Sequence, residues 1–319
     1  ETNASVDVSF TDAVTGARQI EMLGLAGPYV QITRENIPDI RGLSAIYGLT
    51  YMPGPWLGGL QLIKGAGSVV NGFEAIAGQI NLELWKPERS DRLYANLYGN
   101  EGGRFEGNLA LNHSLSERWH TGLLLHGKTL QTRMDRNEDG FLDNALGEEL
   151  FVLNRWKYTG ENGLNAQFGI RGTFLDNLSG QVGFDPDGDR PNAQFWGAQI
   201  RTQRLEGWAK IGKAFPEKPY ASIGLQLSGF VHDQDAAFGP RLYDAEQRMA
   251  YANLIYQSII GTTVHQFKTG LSFQYDGFGE ALDSLQFDRN EIAPGAFFEY
   301  TYEPGAPPTA VARLRADHH

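Results

Sequence analysis

Oxygen-bearing side chains alternate with other residues in the run Asp-Arg-Asn-Glu-Asp-Gly-Phe-Leu-Asp at residues 135–143. This spacing matches the first nine positions of a calcium-binding loop, in which ligands stand two residues apart and a glycine at position six makes the sharp turn. The glycine here is Gly140. The predicted ligands are Asp135, Asn137, Asp139 and Asp143, together with the carbonyl of Phe141.

The end of this loop leaves an alternative open. Position twelve, where a bidentate glutamate usually completes the calcium shell, is Leu146, so Glu148 or Glu149 would have to reach in. A second acidic cluster, Asp-Pro-Asp-Gly-Asp at 185–189, could share the ion. The other interpretation is a solvated acidic turn without metal. We expect a structural calcium that orders the loop and no required cofactor.

Catalytic chemistry finds little support in the sequence. The seven histidines are scattered, and no serine, histidine and carboxylate arrangement can be identified from local spacing. A transition-metal site at His126 or His232 is disfavoured, because the chain has no cysteine and four methionines while soft metals favour sulfur ligands. The sequence therefore predicts a protein that is not an enzyme.

Four glycines separate two short apolar segments between Lys64 and Asn81. Such spacing suits compact loops that need positive φ or close backbone approach, which a side chain would block. The residues that carry the pattern are Lys64, Gly65, Ser68, Gly72, Gly78 and Asn81. The run resembles the end of the plug domain of TonB-dependent outer-membrane receptors, and most closely the receptors of Bacteroidota-type bacteria.

The resemblance extends upstream and implies roles for several aromatic residues. Residues 18–32 look like the strands around the central turn of the plug, and residues 39–53 would then form a loop reaching toward the extracellular vestibule. Tyr47, Tyr51 and Trp56 in or near this loop are candidates for contact with a large amphipathic ligand. The alternative is that these aromatic rings pack the plug against the barrel wall.

From about residue 89 the chain shows strict alternation of apolar and polar residues, clearest between Leu164 and Phe174. A period of two with one polar face indicates a strand in a sheet with two different environments. The pattern predicts about eleven strands, at 93–98, 105–114, 121–130, 150–158, 164–174, 205–214, 221–232, 249–259, 264–275, 293–302 and 309–316. Their length of roughly ten residues suits tilted strands that cross a bilayer. Phe168, Ile170 and Phe174 are expected to face lipid, and Gln167, Arg171 and Thr173 the lumen.

Short and long connections alternate between these strands, as they do in outer-membrane barrels. Longer polar links are predicted at 131–149, 175–203, 233–248 and 276–292. Aromatic residues gather at the short-turn ends, namely Trp119, Tyr158, Phe215, Tyr220 and Tyr302. Their shared position indicates an aromatic girdle at the membrane interface, although aromatic residues also favour strands in general.

Composition agrees with this interpretation. Hydrophobic residues make up 41 % of the chain, and no run of about 18 apolar residues predicts a transmembrane helix. The net charge of −11 argues against nucleic acid as a partner, because no basic stripe is present. The lack of cysteine fits export through an oxidising compartment.

These observations predict a mainly β protein in two parts. Residues 1–88 are expected to form the later part of a small mixed α/β plug, and residues 89–319 the first half of an antiparallel transmembrane β-barrel. About eleven strands are half of the 22 found in plugged outer-membrane transporters. Because residue 1 follows no signal peptide, we expect the chain to be a fragment of a longer protein.

The predicted function is active transport across the Gram-negative outer membrane. The resemblance implies a small-molecule ligand such as a metal chelate, siderophore or cobalamin, and a TonB-type energy-transducing protein and outer-membrane lipid as partners. Two alternatives stay open. One is a passive outer-membrane channel or glycan-type importer, and the other is an outer-membrane hydrolase, which would need a catalytic constellation.

Overall fold

The computed structural model describes residues 6–12, 14–25, 27–186, 194–305 and 308–318; Asp187 and Asp189 of the second acidic cluster lie outside these ranges. Strands account for 66 % of the chain, so the mainly β prediction is confirmed. Within the described residues, no helix is both long enough and apolar enough to cross a membrane.

The N-terminal residues form two small sheets. A two-stranded hairpin consists of β1 (Val6–Phe10) and β2 (Arg18–Met22). A four-stranded sheet in the order β4-β3-β6-β5 contains β3 (Val30–Arg34), β4 (Ile37–Ile40), β5 (Leu57–Lys64) and β6 (Gly78–Leu84). Strands β3 and β6 pair in parallel, which requires the chain between them to cross over, and this crossover carries the segments 41–56 and 65–77.

The rest of the described chain forms one large antiparallel sheet in which strands adjacent in sequence are neighbours. Its members are β7 (Leu93–Gly99), β8 (Arg104–Ser114), β9 (Trp119–Leu130), β10 (Leu146–Thr159), β11 (Leu164–Gly180), β12 (Gly197–Phe215), β13 (Lys218–Phe238), β14 (Arg241–Ile260), β15 (Thr262–Leu282), β16 (Leu285–Gln286), β17 (Arg289–Tyr302) and β18 (Ala310–Asp317). The short β16 pairs only with β15, and each of the other eleven strands overlaps one of the eleven predicted strands, although several extend further.

Two of the four predicted long links are wrong. Strand β13 continues to Phe238 and β14 begins at Arg241, so the predicted link 233–248 is a two-residue turn. Strand β15 likewise runs to Leu282, which leaves a short connection where 276–292 was predicted. In these stretches both faces carry polar residues, so the apolar alternation is lost while the backbone ladder continues. The predicted links 131–149 and 175–203 are also long in the structure, but the flanking strands shorten them to 131–145 and 181–196.

The two faces of the large sheet differ as the alternation predicts. On β11, Phe168, Ile170 and Phe174 are 40, 62 and 37 % exposed, whereas Arg171 and Thr173 are buried on the opposite face. The first face is called the outer face below, and the second the inner face. On the outer face the ring of Trp119 lies 4.8 Å from that of Tyr158, at the short-turn end of the strands.

The N-terminal sheets pack against the inner face of the large sheet. One continuous apolar core joins Tyr51 and Trp56 to Phe151 of β10 and Leu175 of β11, all almost fully buried. Arginines from the inner face reach into the same region and bind carboxylates of the N-terminal residues. This packing positions the segment 41–56 beside the strand ends that the long links join.

Candidate ligand site and the charged interface beneath it

A cavity of about 1100 Å³ lies between the β1–β2 hairpin, the segment 46–50 and the strand ends of β8, β9 and β10. Part of the long link 131–145 closes it, with Leu142 and Asp143 in the lining. Charged residues of both signs line it together with apolar ones, namely the cations Arg18, Arg104 and Lys128 and the carboxylates Asp12, Asp143 and Glu149. Its mixed lining suits a large ligand with both apolar and charged groups.

The three predicted ligand-binding aromatics occupy different places. Tyr47 lines the cavity, although only 6 % of its surface is exposed. Tyr51 and Trp56 lie deeper, each 1 % exposed, and the Tyr51 ring packs edge-on to Phe151 at 6.3 Å. Burial raises the pKa of both tyrosines to about 12, so their hydroxyls stay neutral. Tyr51 and Trp56 thus pack against the sheet as the alternative interpretation expected, and ligand contact by the three residues stays a prediction.

A polar network on β8, β9 and β10 includes Lys128 and Glu149, which line the cavity, and continues to His126 and Asn108. Lys128 Nζ lies 2.5 Å from Glu149 Oε1, and His126 Nε2 lies 3.7 Å from Glu149 Oε2. The other ring nitrogen of His126 is 2.8 Å from Asn108 Oδ1, and its ring stacks on Phe151 at 5.2 Å. These partners fix the orientation of the His126 ring.

The acidic loop is folded around its own backbone. The Asp135 carboxylate accepts hydrogen bonds from the N–H groups of Asp139, at 3.1 Å, and Gly140, at 2.8 Å. Asp139 in turn accepts from the Phe141 N–H at 2.8 Å. Gly140 has φ of +84°, as the turn position requires. In the part of the chain that is described, no three His, Asp or Glu side chains converge as a metal site, and calcium binding stays a prediction.

We expect the full-length protein to bind one calcium ion at this loop, because the loop already turns as a calcium loop does. Isothermal titration of the wild type and of Asp139→Ala with calcium measures it. The variant is expected to lose the binding that the wild type shows. Equal, negligible heats from both proteins would identify a solvated acidic turn.

Beneath the cavity, five charged side chains form a buried cluster between the N-terminal sheet and the inner face. Its members are Arg34 and Asp39 of the N-terminal sheet and Arg171, Arg204 and Glu206 of β11 and β12, each at most 2 % exposed at the side chain. Arg171 Nη2 lies 2.6 Å from Asp39 and 2.7 Å from Glu206, and Arg34 contacts both carboxylates. Burial alone raises the pKa of Asp39, but Arg171, Arg34 and Arg204 outweigh it and hold that pKa well below its usual range.

A second buried group centres on Glu35. Its carboxylate lies 3.1 Å from Arg155 Nη1 and 2.5 Å from Lys86 Nζ, and Lys210 donates to its backbone carbonyl at 2.8 Å. Burial alone raises the pKa of Glu35, and the charges of Arg155 and Lys86 lower it to about 2. Both groups therefore hold ionised carboxylates of the N-terminal sheet against arginines of the large sheet.

The glycine-rich motif folds as the sequence predicts in its local geometry. Gly72 has φ of +123°, and a Cβ at Gly78 would lie 2.6 Å from the carbonyl oxygen of Ile63. Ser68 Oγ donates to Glu299 at 2.8 Å, and Asn81 Oδ1 accepts from the Asn36 N–H at 2.7 Å. The motif therefore both shapes the segment 65–77 and attaches it to β17.

Further contacts of this segment come from residues that the sequence analysis did not single out. Arg313 donates to the carbonyl of Ala66 at 3.1 Å, and Arg315 to that of Val69 at 2.8 Å. Asn253 donates to the carbonyl of Val70 at 2.8 Å. All three lie on strands of the large sheet. The sequence contained a signal for these contacts, because polar and charged residues on the polar face of an amphipathic strand need partners when that face is covered.

No protein-family model matches the chain, and no curated protein sequence matches it. Solved structures do match. The copper transporter OprC aligns over 98 % of this chain and 50 % of its own, with a TM-score of 0.75 and 13 % identity. The ferripyoverdine receptor of the Pseudomonas aeruginosa outer membrane aligns over 98 and 48 %, with a TM-score of 0.74 and 13 % identity. The haemophore receptor HasR of Serratia marcescens aligns over 99 and 48 %, with a TM-score of 0.73 and 14 % identity.

The chain has the fold of TonB-dependent outer-membrane receptors. It spans about half the length of the solved structures that it matches. The structural neighbours are transport receptors of the outer membrane, in agreement with the predicted class and location.

Proposed function

We propose that this chain is the later part of the plug and the first half of the barrel of a TonB-coupled active-transport receptor in the outer membrane. Residues 1–88 would be the C-terminal part of the plug and residues 89–319 the first half of the barrel, in a Bacteroidota-type receptor. The observation that carries the proposal is the ion-paired seating of the N-terminal sheet on the inner face, through Arg155, Arg171 and Arg204. A domain held inside a barrel wall by polar contacts leaves no open pore and must move for transport.

The exposed apolar residues of the N-terminal sheets support a wall on their other side. Leu60 and Ile63 of β5 are 59 and 38 % exposed. Closure of the barrel by further strands would cover such residues. It would also remove the two free edges of the sheet at β7 and β18, which lipid does not tolerate.

The ligand would bind in the cavity lined by Tyr47, Arg18, Arg104 and Lys128. A metal chelate, siderophore or cobalamin-like compound fits its size and its mixed lining. Energy for release would come from a TonB-type partner in the inner membrane, since the outer membrane holds no nucleotide supply. The structural neighbours include a copper transporter, a haemophore receptor in complex with its haemophore and haem, and a ferripyoverdine receptor bound to ferripyoverdine.

A passive channel or glycan-type importer is the second candidate, but the packed inner face counts against a permanently open pore. An outer-membrane hydrolase would need a nucleophile and base in contact at the cavity. Lys128 and Glu149, which line the cavity, form an ion pair with each other instead.

The test is uptake by cells that carry the full-length gene or its deletion, fed in turn with ferric catecholate, ferric hydroxamate, haem and cobalamin. We expect one class of ligand to need the gene, and its uptake to stop when a protonophore removes the proton gradient. Uptake that continues with the gradient removed would identify a passive channel.

A substitution on the outer face tests whether this face contacts lipid. Replacing Ile170 by arginine places a charge on the lipid side of β11. The change should lower the free energy of unfolding of the full-length barrel by about 2 to 4 kcal/mol. Reversible folding into lipid vesicles in denaturant measures the change. Ile170→Leu is the control and should cost less than about 1.5 kcal/mol. Equal stability of the arginine variant would place this face away from lipid.

A further inference from the structure

Four polar side chains form a square on the inner face, where β12 and β13 lie against the N-terminal residues. They are two directly opposite pairs, Thr202 with Gln234 and Arg204 with His232. The Tyr51 ring covers the square, with its centroid 6.2 Å from that of His232. Thr202 and His232 are fully buried, and Tyr51 and Arg204 are at most 4 % exposed. Polar atoms at this place are therefore shielded from solvent. The group is called the polar square below.

Hydrogen-bonding atoms of the polar square lack protein partners. Within the residues that the structure describes, no hydrogen bond of 3.5 Å or less reaches the Tyr51 and Thr202 hydroxyls, Arg204 Nη1, the two ring nitrogens of His232 or Gln234 Oε1. The Tyr51 hydroxyl faces both Thr202 and the Arg204 guanidinium. Hydroxyl, guanidinium and imidazole groups can all donate, and the Gln234 amide donates when its oxygen and nitrogen exchange places. Buried donors are normally paired, so these groups require an acceptor.

The same place carries an excess positive charge. The buried cluster beneath the cavity has three guanidinium groups and two carboxylates, and arginine stays protonated in proteins. Arg204 binds Glu206 through Nε and Nη2, so its Nη1 is the nitrogen left for the polar square. A charge without a partner in a protein interior is costly. The cluster is therefore short of one negative charge beside Arg204.

The neighbouring buried group around Glu35 does not supply that charge. Among the described side chains it too has more cations than carboxylates. Its cations are Arg155, Lys86 and Lys210, and its carboxylates are Glu35 and Glu83. The missing negative charge must therefore come from outside the chain described here.

We infer that one chloride-sized monovalent anion binds between Tyr51 and the inner-face side chains of Thr202, Arg204 and His232. Its charge pairs with the guanidinium, and the hydroxyl and imidazole groups donate to it. Water would accept the same hydrogen bonds but would leave the charge unpaired. A divalent anion would exceed the single excess charge. The anion contacts both the N-terminal residues and the large sheet, so it is held only while the two are packed together.

Chloride should therefore stabilise the full-length protein. Unfolding by urea in lipid vesicles is measured at increasing chloride concentration, with the ionic strength held constant by gluconate, which is too large for a buried site. Above the dissociation constant of chloride, the unfolding equilibrium constant should fall about tenfold for each tenfold rise in chloride, as binding at one site requires. An unfolding constant that does not respond to chloride would overturn the anion site.

The double change Tyr51→Phe with Thr202→Val removes two donors and keeps every charge. It should raise the dissociation constant of chloride by at least roughly tenfold, because a hydrogen bond to a charged group contributes about that factor. Tyr251→Phe is the matched control. Tyr251 also lies on the inner face, is 5 % exposed, and has a hydroxyl without a hydrogen bond to any described residue. It should respond to chloride as the wild type does. Equal shifts in the double variant and the control would count against the site.

Bromide identifies the ion directly and needs no variant. Crystals of the full-length protein grown with bromide in place of chloride should show an anomalous peak beside Arg204 Nη1, within hydrogen-bonding distance of the Tyr51 hydroxyl. Absence of that peak, with or without water density at the same position, would assign no anion to the polar square. Neither measurement depends on uptake. A protein that binds bromide here and transports nothing overturns the proposed function alone, and a transporting protein without the peak overturns the anion site alone.

Discussion

Replacing Arg171 by alanine is expected to destabilise the full-length protein by about 3 to 5 kcal/mol, because it leaves buried carboxylates without their partner. The guanidinium lies within 2.7 Å of both Asp39 and Glu206 and also contacts the Met52 sulfur at 2.9 Å. Arg34 and Arg204 remain near these carboxylates and offset part of the loss. Equilibrium unfolding in denaturant, followed by protease cleavage within residues 34–56, measures the change and locates it.

The control for this experiment is Arg118→Ala. Arg118 pairs with Glu161 at the surface, where the two side chains are 50 and 76 % exposed. Exposed ion pairs contribute about 0 to 1 kcal/mol, so the control should unfold almost as the wild type does. Equal stability of the two variants would mean that the buried cluster is not what seats the N-terminal sheet.

The strands could be predicted because the two faces of the large sheet meet different surroundings. Ile170 and Arg171 are neighbours in sequence, yet Ile170 is 62 % exposed and Arg171 is 1 % exposed. A sequence alternation with a period of two residues encodes this contrast. The alternation of apolar and polar residues disappears where the two faces of a strand have similar surroundings. Asp233 to Phe238 and Arg241 to Glu246 remain strands although both of their faces carry polar residues, so the sequence pattern looks like a loop.

The candidate site could be predicted only in part. The resemblance identifies the segment 39–53, and Tyr47 does line the cavity. The buried cluster depends on pairs such as Arg171 with Asp39, which are 132 residues apart. No local spacing encodes a contact of that range. The inward position of Arg155, Arg171 and Arg204 follows from the alternation, but the identity of their partners requires the packing of one sheet on another.

If the N-terminal sheets are the plug that we propose, the polar interface has a consequence for transport. Taking charges from water into a protein interior is costly, and ion pairing returns much of that cost only while the geometry holds. An interface built from Asp39, Glu35 and their arginine partners is therefore well ordered when closed and gains hydration when opened. Opening an apolar interface of the same size would cost more free energy, because it would expose apolar surface to water. Such an interface would allow the proposed plug to leave the wall under a pulling force.

Acid should weaken the same interface, and Glu35 is the group whose effect can be estimated. Its pKa falls from an ordinary value of 4.5 to about 2 in the folded protein. A lowered carboxyl pKa contributes stability that is complete above pH 4.5 and is lost as the pH falls toward 2. The contribution is roughly 3 kcal/mol, since the side chain is almost fully buried. Unfolding free energies of the full-length protein measured between pH 6 and pH 2 test it.

In Glu35→Gln the free energy of unfolding at neutral pH should be lower, and its decrease toward acid pH should be shallower, because only Asp39 and other carboxyls still titrate. A variant with the wild-type slope over this range would show that the Glu35 carboxylate is not what holds Arg155 and Lys86 at the interface.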